Sequence, residues 1–346
     1  MNRTVLPVAL AAAVSLTACG TSAPARATRA EITITNCGAP ARFPSPARRL
    51  FVNDGNMIAM VLAVGAADEV AAVSSLQRDA VTLRRHYGDA VDRLNVVAPQ
   101  YPSRETVLAQ RPDVMVAGWN YGYSEETHLT PDSLRARGIA PYVLTESCRQ
   151  RGEQRRGIAE PWQALRDDLS NLGAITGRTR QARQVVDDVN RRLTALRNAP
   201  RPEKPPTVFL FDSASDTVFS SGRFGAPQAI IDSAGGRNAI EDVDDSWTAV
   251  SWERVAAARP DAFVFVDYPP QTFEQKVDLL ESRAGIKDLP AVTARRFLNL
   301  PYALWTSSPL NIDAAEQIRK ALERWHLAPR STIVPRSDDR VGGEPE

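Results

Sequence analysis

Apolar positions along the chain fall into short continuous runs separated by amphipathic stretches. Thr207-Val-Phe-Leu-Phe211, Val114-Met-Val-Ala117 and Ala262-Phe-Val-Phe-Val266 read as buried strands. Arg49-Leu-Phe-Val52, Val70-Ala-Ala-Val73, Pro141-Tyr-Val-Leu144 and Arg296-Phe-Leu-Asn-Leu300 add further strands, and helices are predicted from about Met57 to Val64 and over Ala226–Ala234. From Arg178 to Asn198 the residues Ala182, Val185, Val186, Val189, Leu193 and Leu196 lie on one helical face, and no proline intervenes before Pro200. At 1.5 Å per residue that helix would span about 30 Å. Strands alternating with helices imply an α/β protein with parallel sheets.

A repeat divides the chain. Ser103-Arg-Glu-Thr-Val-Leu-Ala-Gln-Arg-Pro-Asp-Val-Met-Val116 aligns without gaps on Ser251-Trp-Glu-Arg-Val-Ala-Ala-Ala-Arg-Pro-Asp-Ala-Phe-Val264, with eight of fourteen positions identical. Each copy predicts a serine N-cap, a glutamate in the first turn, a short helix stopped before Arg-Pro-Asp, and a buried strand. Two α/β lobes are therefore expected, with the helix at 178–198 as a strut between them. A surface helix of a single domain is the competing reading.

The chain has 346 residues, 43% hydrophobic and 24% charged, with a net charge of +1. Those proportions are globular, and a near-zero charge argues against bulk binding to nucleic acid or to an anionic membrane, which needs a basic excess. Arginine outnumbers lysine 38 to 4, which says little about function. Residues 1–18 read as an export signal: Arg3 precedes an apolar stretch, Val5 to Ala18, too short to span a bilayer. Its end, Leu16-Thr17-Ala18-Cys19-Gly20, resembles the bacterial lipoprotein cleavage box, which implies lipidation of Cys19; an ordinary secretory signal is the alternative. Residues 19–31 would then be a tether, and 328–346 a polar tail. Cys37 and Cys148 remain as an even pair in an oxidising compartment, so a disulfide between them is expected rather than two free thiols. His86, His128 and His326 are scattered, so no resident metal or cofactor is expected.

Lipobox, paired lobes and a long linking helix resemble the helical-backbone (class III) periplasmic binding proteins, the substrate-binding lipoproteins of ABC importers for ferric siderophores, haem and vitamin B12. Pro102-Ser-Arg-Glu105 with Arg111-Pro-Asp113, and Ser251-Trp-Glu253 with Arg259-Pro-Asp261, carry the resemblance. The run Phe224-Gly-Ala-Pro-Gln228, Ala234-Gly-Gly-Arg-Asn238 and Asp244-Asp-Ser-Trp247 is similar to actinobacterial members. The resemblance implies two Rossmann-like lobes (32–158 and 201–327) joined by linking helices (159–200), chiefly one long helix. It also implies that Glu105 and Glu253 dock on arginines of a permease dimer driven by its ATPase, rather than only complementing helix dipoles. Membrane contact would be through the lipid anchor alone, on the extracytoplasmic face.

Ligands of open α/β sheets bind beyond the carboxyl ends of strands. The first lobe offers Asn53, Asp54, Tyr101, Trp119, Asn120, Tyr121 and Tyr123 there; the second offers Asp212, Ser213, Arg223, Phe224, Trp247, Tyr268, Tyr302 and Trp305. Such aromatic walls suit a large organic ligand, although a core role competes for each aromatic and a solvated role for Arg223. Trp162 and Trp252 lie on predicted helices and read as packing residues. A ferric siderophore is the first expectation, with cobalamin, haem or a deazaflavin precursor as alternatives. A secreted hydrolase using Ser213 or Ser221 is a distant rival. The chain has no G-x-S-x-G elbow, G-x-G-x-x-G or Walker loop, so no enzymatic activity is expected.

Overall fold

The computed structural model describes Met1, residues 30–269 and residues 271–337. The expected leader, Cys19 and nearly all of the tether lie outside the described residues, as does the tail beyond residue 337. The described chain opens on an antiparallel hairpin, β1 (Glu31–Asn36) and β2 (Ala39–Pro44). The first lobe follows as β3 (Leu50–Asn53), α1 (Gly55–Ala63), β4 (Val70–Ser74), α2 (Ala80–Tyr87), β5 (Val96–Ala98), α3 (Arg104–Ala109), β6 (Val114–Trp119), β7 (Gly122–Tyr123), α4 (Pro131–Arg135) and β8 (Ala140–Val143). Two helices come next, α5 (Pro161–Thr176) and α6 (Thr179–Asn198). The second lobe runs β9 (Thr207–Phe211), β10 (Ser213–Ala214), β11 (Val218–Ser221), α7 (Ala226–Ala234), β12 (Arg237–Asn238), β13 (Trp247–Val250), α8 (Trp252–Ala258), β14 (Ala262–Asp267), α9 (Phe273–Ser282), α10 (Pro290–Thr293), β15 (Phe297–Pro301) and α11 (Asn311–Arg324).

Each lobe is built on a parallel sheet. The first has the order β5-β4-β3-β6-β8, with β7 also against β6; the second has β12-β9-β14-β15. Their central strands are apolar on both faces because helices cover both. In β9, Val208 and Leu210 enter one core while Phe209 and Phe211 enter another; in β3, Leu50 and Val52 oppose Phe51 in the same way. A small antiparallel sheet, β10-β11-β13, projects from the second lobe.

The repeat has a shared structural meaning. Ser103 and Ser251 cap α3 and α8, accepting hydrogen bonds from the Thr106 and Arg254 amides at 3.1 and 3.2 Å. Arg111 and Arg259 both turn left-handed (φ 45° and 44°) where those helices end. Asp113 then accepts from the amides of Arg48 and Arg49, and Asp261 from the Thr207 amide. The aspartate thus pins the loop before its own strand to the start of the neighbouring strand.

The strut is a pair of helices. α5 folds back on α6 at Gly177 (φ 73°), and a Cβ on Gly173 would lie 2.3 Å from that of Ala182, so glycine is what lets the helices touch. Both pack on α1 of the first lobe and α7 of the second. One continuous core therefore joins Val52 and Val116, Leu169 and Leu193, and Leu210 and Val264. Cys37 and Cys148 form a disulfide, tying the opening hairpin to the end of the first sheet. Beside it the Asn36 side chain donates to the Val143 carbonyl at 2.7 Å and accepts from its amide at 2.9 Å.

Candidate functional site

The carboxyl ends of the two sheets converge on a cleft, and the first residue beyond β3 organises it. Asp54 is fully buried, adopts φ 72°, and accepts from the Gly55 amide at 3.0 Å as the N-cap of α1. Its Oδ2 also receives the hydroxyls of Tyr101, at 3.0 Å, and of Tyr302 from the opposite lobe, at 3.3 Å. Arg78, just beyond β4, donates to Asp54 and lies 3.4 Å from Asp79. Its guanidinium sits 4.0 Å from the ring centre of Tyr302 and 5.0 Å from that of Tyr268, an arrangement that favours a cation on aromatic faces.

Burial opposes the charge on Arg78, but Asp54, Tyr302 and Asp79 outweigh it and hold its pKa above the ordinary arginine value. Burial pushes the Asp79 carboxyl up to about 7 against the pull of Arg78. Asp79 reaches its place only because residue 55 is glycine: a Cβ there would lie 2.1 Å from Asp79 Oδ2. Around Arg78 opens a cavity of about 590 Å³, lined by Ser75, Gln77, Arg78, Pro99, Gln100 and Tyr101 from the first lobe and Tyr268 and Pro269 from the second. Behind Tyr268, the buried Lys276 ammonium donates to the carbonyls of Val266 (2.5 Å) and Tyr268 (3.3 Å), which fixes the end of β14.

The remainder of the interface is sealed by polar bridges. Asp79 accepts from the Ala303 amide at 3.1 Å, and Asn56 donates to the Ser307 carbonyl at 3.1 Å. Glu146 accepts from Trp247 Nε1 at 2.8 Å and from the Ser307 amide at 2.9 Å. Burial raises the Glu146 carboxyl to about 7. At the edge, the segment 149–157 straps one lobe to the other: Gln150 donates to Asp244, and Arg156 to Asp245 and Trp247.

Of the residues expected in the site, Asp54, Tyr101, Tyr268 and Tyr302 meet around Arg78. Tyr121 and Trp247 are buried at the sealed interface. Asn53 is buried beneath the site, donating to the Tyr121 carbonyl and accepting from Ser74. Asp212 is buried and accepts from Ser213; burial raises its pKa. Trp119 lies at the end of β6 under the Arg149 guanidinium, 3.7 Å from the ring centre, and Asn120 is exposed beside it. Arg223 is exposed and paired with Asp244, while Phe224 packs against Gly157 of the strap.

Two expectations are corrected. Tyr123 has no exposed surface and donates its hydroxyl to the Met115 and Tyr142 carbonyls. Trp305 is equally enclosed, with its indole N–H shared between the Phe265 and Leu300 carbonyls. Neither ring can wall a cleft, because internal packing already occupies it. Ser221 is buried and donates to the Ser246 carbonyl.

Arg78, Asp79, Gln77 and Glu146 escaped the sequence reading. The first three follow a predicted strand, Val70–Val73, so the carboxyl-end rule applied to that strand would have found them. Glu105 and Glu253 both stand exposed in the first turns of capped helices, their carboxyls lowered chiefly by backbone N–H groups. Among the described residues, no group of three or more His, Cys, Asp or Glu side chains is placed to hold a metal ion, and no helix is long and apolar enough to cross a membrane.

Three solved structures resemble the whole arrangement. A periplasmic binding protein from Veillonella parvula superposes with a TM-score of 0.71 at 20% identity, covering 84% of this chain and 97% of the other. An ABC-type Fe3+-hydroxamate transport system protein from Saccharomonospora viridis gives 0.70 at 23%, covering 84% and 98%. The periplasmic vitamin B12 binding protein of Vibrio cholerae gives 0.58 at 19%, covering 81% and 98%. The model of the periplasmic binding protein family matches residues 53–304, from the foot of Asp54 to just beyond Tyr302. The chain belongs to the periplasmic binding protein family.

Proposed function

We propose that this protein is the lipid-anchored, extracytoplasmic substrate receptor of an ABC importer, and that its cargo is a large organic ligand or metal chelate, a ferric siderophore before others. The carrying observation is the cavity of about 590 Å³ between the lobes, where the Arg78 guanidinium presents N–H donors against tyrosine walls. An oxygen-rich chelate offers acceptors to those donors and an apolar shell to those rings. Likeness to the Fe3+-hydroxamate protein supports that cargo class, and likeness to the vitamin B12 binding protein supports cobalamin as the next.

In this reading Cys19 carries the lipid and residues 20–31 form the tether. The lobes at 32–158 and 201–327 close on the ligand, while the helices between them, sharing one core with both, restrict closure to a small hinge motion. Glu105 and Glu253, one on each lobe, then set the register on a permease dimer. Exposed ion pairs contribute about 0–1 kcal/mol each, so they govern orientation and on-rate more than affinity. The reading is of a binder that delivers its ligand unchanged.

A thermal-shift panel on the chain from Gly20 tests this, with ferric hydroxamate and catecholate siderophores, cobalamin, haem and a deazaflavin. A ligand at a hundred times its Kd adds about 2.7 kcal/mol. The expected result is a shift with one class that Arg78→Ala removes. A shift that survives Arg78→Ala would place the ligand elsewhere, and turnover of any ligand would make the protein an enzyme.

A further inference from the structure

The cavity between the lobes presents a charged side chain whose charge is already neutralised from behind. Among the described residues that line it, Arg78 is the one ionised group, and Ser75, Gln77, Gln100 and the tyrosines add uncharged polar atoms. Arg78 keeps 19% of its side chain exposed, so a bound ligand can meet its guanidinium. The two carboxylates beside it are fully buried: Arg78 donates to Asp54 Oδ1, and its Nε lies 3.4 Å from Asp79 Oδ2.

Asp54 is not free to give way to an arriving anion. Its Oδ1 holds the Gly55 amide, and its Oδ2 holds the hydroxyls of Tyr101 and Tyr302. Its backbone is set in the left-handed region at the head of α1. Arg78 is held from the other side by the rings of Tyr302 and Tyr268. The pair is therefore a fixed dipole, not a mobile positive charge. An anion entering the cavity meets the attraction of Arg78 together with the repulsion of Asp54 and Asp79 immediately behind it.

The surroundings do not restore a positive field. Lys276, behind Tyr268, is faced by Asp212 and Asp267, and Asp212 also faces Arg78. Arg78 and Lys276 thus stand against Asp54, Asp79, Asp212 and Asp267, which leaves no positive excess even when Asp79 and Asp212 are both protonated. The walls favour the same side. Tyr101 is 43% exposed although its hydroxyl is bound to Asp54, so the surface it offers is mainly ring. Tyr268 and Tyr302 turn ring faces to the guanidinium, and that face is the negative part of the ring's quadrupole.

We infer that the cleft selects its cargo by charge, taking ligands that are uncharged or singly positive and rejecting multiply anionic ones, with Asp54 as the residue that sets the selectivity. This selection rests on the receptor reading above, since the cargo must meet Arg78. Among ferric chelates it favours hydroxamates. Three hydroxamates lose one proton each and balance Fe3+, so the complex is uncharged while its oxygens still accept from the Arg78 N–H groups. Three catecholates lose two protons each and leave a triply negative complex, and haem brings two carboxylates. Those anions would face Asp54 and Asp79 with Arg78 already committed. An uncharged corrinoid fits the same rule.

The test is calorimetric titration of the chain from Gly20, which keeps the fold from residue 30 onward, with ligands matched in all but charge. A linear ferric trihydroxamate with a terminal amine is used unmodified (singly positive), acetylated on the amine (uncharged) and succinylated on it (singly negative). Cobalamin and its monocarboxylate, with one side-chain amide hydrolysed, form a second series; a ferric tris-catecholate and haem complete the set. In the series that binds, the expected result is a negative member about tenfold weaker than the uncharged one, with no binding of the tris-catecholate or haem. Asp54→Asn keeps an N-cap residue that tolerates positive φ and releases the charge of Arg78. It should bring the negative member to within about twofold of the uncharged one, with circular dichroism confirming the fold. The wild-type series stands whether or not that variant folds. Equal or tighter binding of the negative member, binding of the tris-catecholate or haem, or a folded Asp54→Asn that keeps the gap overturns charge selection while leaving the receptor reading intact. Binding of nothing in the set defeats the siderophore-or-cobalamin reading, and charge selection with it.

Discussion

Removing the Cys37–Cys148 disulfide is the perturbation whose size follows most directly from the structure. The bond closes a loop of 111 residues that contains the whole first sheet. In the chain-entropy account, a loop of that length restricts the unfolded ensemble by roughly 5 kcal/mol. The folded state has its own means of holding the hairpin: the reciprocal hydrogen bonds between Asn36 and Val143 stand beside the bond. The loss should therefore appear as an easier unfolded state rather than a displaced hairpin. With an unfolding entropy near 2.1 cal/mol/K per residue, some 300 ordered residues convert roughly 5 kcal/mol into a Tm drop of about 8 °C. Differential scanning calorimetry of the wild type, oxidised and reduced, and of Cys37→Ser/Cys148→Ser checks this, with far-UV circular dichroism unchanged at 25 °C. A drop below about 2 °C would refute the reasoning, as would loss of the hairpin signals in the folded variant.

Three other expectations are open to measurement. Asp168 is fully buried beneath Tyr142 and Thr145, and burial raises its carboxyl to about 7 from an ordinary 3.8. Stability from its protonated form is complete below about pH 4 and lost as pH rises through 7. Asp168→Asn should therefore gain on the wild type steadily between pH 4 and 8 in melting experiments, and a pH-independent difference would contradict the assignment. Gly55→Ala drives a methyl group into Asp79. It should cost about 1–3 kcal/mol of stability and at least tenfold in ligand affinity by titration; unchanged affinity would remove Arg78 and Asp79 from the site. Glu105→Arg with Glu253→Arg should leave ligand affinity within twofold and abolish import in a cell-uptake assay, whereas weakened binding by the purified variant would make them cleft residues.

What the sequence determined alone is what short-range physics determines. Thr207–Phe211 and Ala226–Ala234 emerge at their expected bounds, because a proline pair or a glycine brackets each apolar run and its period does not depend on distant partners. Ser103 and Ser251 cap their helices because a serine hydroxyl reaches the third amide of its own helix. Cys37 and Cys148 pair as the sequence led one to expect. Tertiary structure decided the rest. α5 has buried residues Trp162, Leu165, Leu169 and Leu172 on one face, but nothing local says that it lies against α6 to make one core for two lobes. Tyr123 and Trp305 look like cleft aromatics in sequence and are core residues in space, since an aromatic side chain suits either place and the surrounding packing chooses. Arg78 and Asp79 look like a solvated pair after a strand. They become the centre of the site because the order β5-β4-β3 sets the ends of those strands side by side, and because the second lobe closes Tyr268 and Tyr302 over them. Asp54, Arg78, Tyr101, Tyr268 and Tyr302 are scattered across more than two hundred residues of chain. Their convergence is set by strand order and lobe contact, neither of which is written in the local pattern of any one segment.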